Sequence, residues 1–365
     1  MKRILIIAII VAVVIAIALA VILIPKTEKE LPQQEGPGYD FMAPETKLLE
    51  VEGEEISWKE YYGWLSYSKS SYENAYGEIT DWTATDPNGD TYYDAVKDYT
   101  LYILKVYKGL EKYASENNIA ISDEERAEIE SNWTELTEMH GEEGGLLEYM
   151  LSTFGSREMY DYFTGTSYLY RKCLENVYGE GAKDLPDEDV LDYFADSEYM
   201  MVYHVLQKTV DDNNQPLPDD VVAEKKATAE RLLETINGFE GTNEEKKEHF
   251  IGLVKEFSED GGGADGYIFL PGYMVEEFEQ ATKELGDYEN SGIVESQFGY
   301  HIILRLPLDP DKVPLDYAQM GYGSTLRQIA ADSMFYSVTE TWAEDLNVTT
   351  EEAYDKLNVA EVYAG

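Results

Sequence analysis

The distribution of apolar residues divides this chain into segments of distinct character. An unbroken apolar run extends from Ile4 to Ile24 and follows two basic residues. A run of about 21 residues, at about 1.5 Å per residue, spans the ~30 Å hydrocarbon core of a bilayer. We therefore predict a transmembrane signal anchor over residues 1–25, with a cytoplasmic N-terminus because the basic residues precede it. A signal peptide cleaved after Ala20 remains an open alternative.

A polar linker and a helical region follow the anchor. Residues 26–46 are polar and rich in Pro and Gly, which is typical of a flexible linker. Over residues 47–197, apolar side chains recur mainly at three- and four-residue spacing, which predicts amphipathic helices. The stretch "YYGWLSYSKSSYENAY" at residues 61–76 is rich in Tyr and Trp. It predicts either ordinary helix packing or an aromatic surface that contacts unfolded chains.

The pattern changes over residues 198–307. The stretch "YMMVYHVLQKTV" predicts a strand, three helical stretches follow with a glycine-rich connection before the last, and "GYHIILRL" predicts a closing strand. This order predicts a compact α+β domain. Residues 308–365 begin with a Pro-rich turn and return to helical periodicity.

Charge and cysteine content narrow the classes of function. The chain has 28 Lys and Arg against 73 Asp and Glu, a formal net charge of −45. A surface of this sign repels phosphate backbones, so we predict no nucleic-acid partner. Cys173 is the only cysteine, which excludes an intrachain disulfide and a cysteine-based zinc site or redox pair. We expect it to be a small core residue on a helix.

Four motifs in the predicted α+β domain occur in a fixed order. They are "YHVL" at 203–206, "FIGLVKEFSED" at 250–260, "GYIFLPGYMVEEFEQA" at 266–281 and "SGIVESQFGYHIILRL" at 291–306. Together they resemble the parvulin, or rotamase, family of peptidyl-prolyl cis-trans isomerases, in the form found in bacterial extracytoplasmic foldases such as PrsA and SurA. The loop "GGGAD" at 261–265 is shorter than in many members of this family.

The resemblance implies an α+β fold. A parvulin-like domain at 198–307, with a small antiparallel sheet and surrounding helices, would be joined to an α-helical chaperone domain built from N- and C-terminal segments. Residues 47–197 supply the N-terminal part of that domain. Residues 308–365 are expected to pack back on it.

The resemblance also assigns functional residues. It implies catalytic roles for His204, Asp260 and His301, with the two histidines paired on neighbouring strands. Met274 and Phe278 lie four residues apart at a helix start and share one face, which suits a proline pocket. Further pocket and support positions are Phe269, Ser296 and Phe298. The competing interpretation of the apolar residues is simple core packing, and we expect the remaining histidines, His140 and His249, on the surface.

The reaction expected of these residues requires no cofactor. Rotation about an X–Pro bond crosses a barrier of about 18–20 kcal/mol because it interrupts amide resonance, and it breaks no covalent bond. The family therefore implies an isomerase without a metal or cofactor. Its expected partners are unfolded or nascent exported proteins, with the membrane reached through the N-terminal helix. A homodimer is a further prediction. The alternative function is a catalytically weak or inactive parvulin-fold holdase.

Overall fold

The computed structural model describes residues 38–140, 146–261 and 265–363, with side-chain surroundings left out for 136–140 and 146–148. The predicted anchor at 1–25 and most of the predicted linker lie outside these ranges, as does the side chain of His140. In the ranges described, no helix is long and apolar enough to cross a membrane.

The chain forms two compact units. The first comprises residues up to Val177 together with those from Ser333 onward, and the second is Tyr178–Asp332. The predicted domain bounds were 197/198 and 307/308, so the second unit extends beyond the predicted α+β domain on both sides.

In the part of the chain that the structure describes, the first unit begins with a short 3₁₀ helix, Tyr39–Phe41, and continues with a hairpin and five α-helices. Strands β1 and β2 pair antiparallel around a turn at Glu52 and Gly53, both with positive φ. Ser57 caps the first helix by accepting a hydrogen bond from the backbone N–H of Glu60. The elements are β1 Lys47–Val51, β2 Glu54–Ser57, α1 Trp58–Tyr76, α2 Tyr92–Glu116, α3 Asp123–His140, α4 Leu146–Phe154 and α5 Arg157–Tyr178.

The second unit surrounds a four-stranded antiparallel sheet in the order β4-β3-β6-β5. Helix α7 packs on β3 and β6, α8 packs on β3, and α9 packs on β3, β5 and β6. The elements are α6 Asp187–Tyr193, β3 Met200–Lys208, α7 Asp219–Asn237, α8 Asn243–Phe257, β4 Tyr267–Phe269, α9 Glu276–Glu284, β5 Val294–Ser296, β6 Gly299–Leu306 and α10 Leu315–Gln319.

The C-terminal residues complete the first unit. Strand β7 pairs with β1 and extends the N-terminal hairpin to a three-stranded sheet in the order β2-β1-β7. The remaining elements are α11 Leu326–Glu344, β7 Val348–Thr350, α12 Glu352–Asp355 and α13 Val359–Val362. A helical unit built from both ends of the chain, beside an α+β unit with a small antiparallel sheet, confirms the predicted fold class.

The aromatic residues of α1 pack in the core of the first unit. Tyr61, Tyr62 and Trp64 are at most 1% exposed, and Tyr67 is also buried. The ring of Tyr61 meets that of Tyr354 edge to face at 5.5 Å between centroids. Packing therefore accounts for most of this aromatic stretch, in which Tyr76 is the large apolar side chain left exposed.

Two further predictions are tested by burial. Cys173 is fully buried on α5, as predicted. His249, which we expect on the surface, is half-buried. Its ring stacks on Phe239 at 4.2 Å between centroids, and its Nε2 atom is inaccessible to solvent.

Candidate active site

Strands β3 and β6 bring the two predicted histidines together. His204 lies opposite Ile303 and His301 lies opposite Leu206, so the two histidines are diagonal neighbours on one face of the sheet. Their Nδ1 atoms are 3.3 Å apart and their rings lie at 24° to each other. Both side chains are buried, at 5% and 4% exposure. Buried imidazoles require hydrogen-bond partners, and each has one on either side.

The partners of the two rings define a directional chain of hydrogen bonds. His204 Nε2 lies 3.0 Å from Asp260 Oδ2, and His301 Nε2 lies 2.8 Å from Ser296 Oγ. An ionised Asp260 can only accept, so Nε2 of His204 donates and its Nδ1 accepts. His301 Nδ1 then donates to His204, and His301 Nε2 accepts from the Ser296 hydroxyl. Two neutral imidazoles satisfy the whole chain.

The electrostatics of His301 agree with this assignment. Burial, with a smaller contribution from His204, lowers the pKa of His301 from 6.5 to about 4. Desolvation disfavours the imidazolium, and the nearby imidazole of His204 adds to that effect. His301 is therefore neutral at physiological pH.

Asp260 is held by groups from two separate segments. The hydroxyl of Tyr267, on β4, donates to Asp260 Oδ2 at 2.6 Å, the same oxygen that His204 contacts. Burial, together with this hydrogen bond to Asp260, raises the pKa of Tyr267, which therefore remains a donor. The segment leaving α8 is attached to β3, since the Ser258 hydroxyl accepts from the backbone N–H of Leu206 at 3.1 Å.

An apolar cluster lies beside this polar chain. Phe278, on α9, is 2% exposed and meets both histidine rings edge to face, at 5.1 Å for His204 and 5.4 Å for His301. Met274 is half-buried and packs against the cluster that contains Phe278. Glu279 fixes the preceding turn, because its Oε1 accepts from the backbone N–H groups of Gly272 and Met274.

The remaining predicted residues occupy different environments. Phe269 is fully buried and lies in the same apolar cluster as Phe278. Ser296 is half-buried and its oxygen also accepts from the backbone N–H of Phe298 at 3.1 Å. Phe298 lies in the turn between β5 and β6, outside the Phe278 cluster.

Tyr267 is the site residue that the sequence interpretation missed. It stands in "GYIF", directly after the glycine of the third motif. A tyrosine on a short strand following an acidic turn was a usable signal. Only the pairing of β4 with β3 places its hydroxyl at Asp260, seven residues earlier in the chain.

The first unit contains a cavity of about 290 Å³ with charged walls. Lys108, which is buried, has its ammonium 2.9 Å from Glu54 and 3.3 Å from Glu111. Lys112 contacts Glu52 in the same wall. These charges are compensated internally, and the cavity holds none of the predicted site residues. Within the described ranges, no three His, Cys, Asp or Glu side chains are arranged to hold a metal ion.

Comparison with known proteins places the site within a described family. Residues 204–306 match the rotamase family, described as the PPIC-type PPIASE domain. The chain is 28% identical over 263 residues to the foldase protein PrsA of Caldanaerobacter subterraneus, covering 69% of this chain and 71% of that protein. It is 34% identical over 105 residues to foldase protein PrsA 4 of Bacillus cereus, covering 27% of this chain and 35% of that protein.

Among solved structures, the chain is similar to PrsA from Bacillus subtilis, with 20% sequence identity and a TM-score of 0.27. That match covers 75% of this chain and 97% of the other. Of the two curated relatives, the Caldanaerobacter subterraneus protein is matched over 71% of its length and the Bacillus cereus protein over 35% of its length.

Proposed function

We propose that this chain, which carries a PPIC-type rotamase domain over residues 204–306, is an extracytoplasmic peptidyl-prolyl cis-trans isomerase and foldase anchored in the membrane. The observation that carries the proposal is the arrangement of Asp260, His204 and His301 directly beside Phe278 in that domain. An acidic group, two neutral imidazoles and an apolar wall suit a substrate that is itself an apolar ring joined to a polar amide.

Catalysis in this site would act by differential binding. The proline ring of the client enters the apolar pocket at Met274 and Phe278, and the flanking amide lies toward Asp260. A carboxylate near the carbonyl disfavours the planar, charge-separated resonance form of the amide, which lowers the barrier to rotation. Only interactions stronger in the twisted state than in the planar state accelerate the reaction.

The histidine pair would position Asp260 instead of exchanging protons with the client. His204 donates to Asp260, which fixes the tautomer of His204 and through it that of His301, while Ser296 completes the chain. The low pKa of His301 keeps its own ring from taking up a proton at neutral pH. Tyr267 donates to the same carboxylate oxygen and restricts its rotation.

The remaining proposals concern location and partners. The apolar run Ile4–Ile24 supports a single-pass anchor with the folded residues outside the cytoplasm. The relatives are named foldases, which supports unfolded exported proteins as clients. We keep the domain bounds 26–46, 47–197, 198–307 and 308–365 as a proposal. The homodimer likewise stays a prediction.

The alternative is a holdase that has lost isomerase activity. Its specific support was the aromatic stretch at residues 61–76 as a surface for unfolded chains. Packing in the core of the first unit accounts for most of those side chains. The isomerase is therefore the function we favour.

The test measures cis–trans exchange of short X–Pro tetrapeptides by NMR, using residues 26–365. We expect acceleration by the parent protein and a loss on the order of tenfold or more, equivalent to about 1.4 kcal/mol, in Asp260→Asn and in Met274→Ala. Tyr267→Phe should give a smaller loss because Asp260 keeps its contact with His204. The matched control is Asp287→Asn, an exposed carboxylate in the same unit, which should behave like the parent.

Absence of acceleration for every tetrapeptide would refute the isomerase. If the protein then still suppressed aggregation of an unfolded client, the holdase would be the correct function.

A further inference from the structure

A surface rich in tyrosine lies in the second unit, built mainly by residues that flank the rotamase match. Residues before 204 and after 306 belong to this unit and contribute most of the surface. We call this surface the tyrosine platform. Its members are Tyr193, Tyr199, Tyr273, Tyr317, Met320 and Tyr322.

Direct contacts connect the members of the platform. Tyr193 and Tyr199 both meet Phe194 edge to face, at 4.9 Å and 5.6 Å between ring centroids. The Tyr199 hydroxyl donates to Asp316 Oδ2 at 2.7 Å, which ties it to α10. Tyr317, the next residue, meets Tyr322 at 6.2 Å. These contacts connect Tyr193, Tyr199, Tyr317 and Tyr322 through Phe194 and α10, and Met320 stands at the C-terminal end of the same helix α10.

The platform is continuous with the proposed proline pocket. Tyr273, Met274 and Leu315 all pack against the buried cluster that contains Phe278, and α10 packs on β4. Tyr199 immediately precedes β3 and stands five residues before His204. At about 3.3 Å per residue, the two lie about 16 Å apart along the strand. An extended client of about five residues covers the same distance.

Exposure and charge define what the platform would bind. Met320 is 63% exposed and Tyr193 is 44% exposed, which leaves apolar surface of the platform available to a client. Burial, and then the carboxylates of Asp316 and Asp332, raise the pKa of Tyr317, so acidic groups lie next to the aromatic rings. With a net charge of −45 on the whole chain, the surface favours a basic client.

We propose that the tyrosine platform binds a second stretch of the client, an aromatic or aliphatic side chain with basic neighbours, about three to six residues from the isomerised proline. This inference rests on the proposed function and adds the substrate class of that site. Aromatic side chains supply a large contact area at a low cost in conformational entropy. The tyrosine hydroxyl groups can form hydrogen bonds with the backbone of clients of varied sequence.

The test uses residues 26–365 and peptides of twelve residues with one central proline and Lys flanks. One series carries Phe, and the matched series carries Ser, four residues before or four residues after the proline. We expect kcat/KM for the Phe peptide to exceed that for the Ser peptide by about tenfold on one side of the proline. The Tyr317→Ser, Met320→Ser double variant should reduce this ratio to below about twofold, and Met320→Leu should keep it.

A control and a second readout make the result decisive. Phe239→Ser removes a half-buried aromatic ring of the same unit that stacks on His249 and is no part of the platform, so the ratio should not change. Binding of the labelled Phe peptide, followed by fluorescence anisotropy, should weaken at least fivefold in the double variant, and likewise when Glu replaces the Lys flanks.

The outcomes separate the two proposals. An equal response to Phe and Ser on both sides of the proline, or a ratio unchanged in the double variant, would overturn the platform. Failure to accelerate even tetrapeptides would instead overturn the isomerase, and the anisotropy titration would still decide whether the platform binds the peptide.

Discussion

At the scale of single residues, the buried histidines are explained by the chain of hydrogen bonds they complete. His301 stands in an otherwise apolar strand, where an unpaired polar group would cost about 1–3 kcal/mol. It avoids this cost because Ser296 donates to one ring nitrogen and the other donates to His204. With both rings neutral every member of the chain has a partner, and the low pKa of His301 means that this ring takes up a proton only in acid.

The first prediction follows from the pKa of His301. An unfolded histidine takes up a proton near pH 6.5, whereas folded His301 does so only near pH 4. Between these values the unfolded state binds more protons, so stability falls as the pH is lowered and is constant below about pH 4. The loss between pH 7 and pH 5 should be about 2 kcal/mol.

Hydrogen exchange of the β3 and β6 amides measures this opening free energy directly for the second unit. His301→Gln provides the control, because it keeps an uncharged polar side chain and removes the titration. The difference between the two proteins cancels the contribution of carboxylates elsewhere. The same loss between pH 7 and pH 5 in both proteins would contradict the assignment.

At the scale of elements, the hairpin of β5 and β6 determines where Ser296 meets His301. Ser296 pairs with Gly299 across a turn of two residues. This pair sets the register of the hairpin, in which Val294 lies opposite His301. Gly299 has a φ of 144°, and a Cβ added there would lie 2.1 Å from the carbonyl oxygen of Gln207. Only glycine allows β3 to approach β6 this closely at the turn.

The second prediction concerns this position. Gly299→Ala should lower the free energy of unfolding of the second unit by about 2 to 3 kcal/mol, because the methyl group meets backbone atoms that must move. Isomerase activity should fall with it, since a displaced β6 separates His301 from Ser296.

Gly292→Ala is the matched control in the same unit. No atom lies within 4 Å of the added Cβ there, so its stability should change by less than about 0.5 kcal/mol. Unfolding in denaturant, monitored by hydrogen exchange, compares the free energy of unfolding of the second unit in the two variants. Equal stability of the two variants would show that the close approach at Gly299 is unimportant.

At the scale of the whole molecule, the end of the chain is part of the first unit's core. Val51 pairs with Val348, and Tyr61 packs against Tyr354. The hydroxyl of Tyr93 donates to the carbonyl of Leu357 at 3.1 Å. These contacts join segments about 260 to 300 residues apart, so the core of the first unit requires both segments.

The third prediction is that removal of residues 348–365 destabilises the first unit. The deletion takes away β7 and the buried side chains Tyr354, Leu357, Val359 and Val362, and it exposes the edge of β1. Deleting one large buried apolar side chain commonly costs about 2–5 kcal/mol, so a loss of four should prevent stable folding of this unit.

Tryptophan fluorescence can follow the deletion, because all five tryptophans lie in the first unit. Lys356→Ala is the control, since that side chain is exposed and should leave the melting temperature unchanged. A truncated protein that melts like the parent would show that the C-terminal segment is dispensable for this unit.

The sequence by itself determined the elements of this protein and the match of residues 204–306 to the rotamase family. Periodicity of apolar side chains is a local property, so it predicted the helices of the first unit and the strands that carry His204 and His301. Four short motifs in a fixed order identified the rotamase domain. Each motif consists of residues adjacent in the sequence, so it can be found without the tertiary structure.

Only the tertiary structure decided the relations among distant residues. The tautomers of the two histidines depend on partners up to 97 residues away. The contact of Tyr267 with Asp260, the stacking of His249 on Phe239 and the tyrosine platform depend on strand pairing and helix packing across the unit. Sequence pattern fixes which face of an element is apolar, but the free energy of packing selects what that face meets.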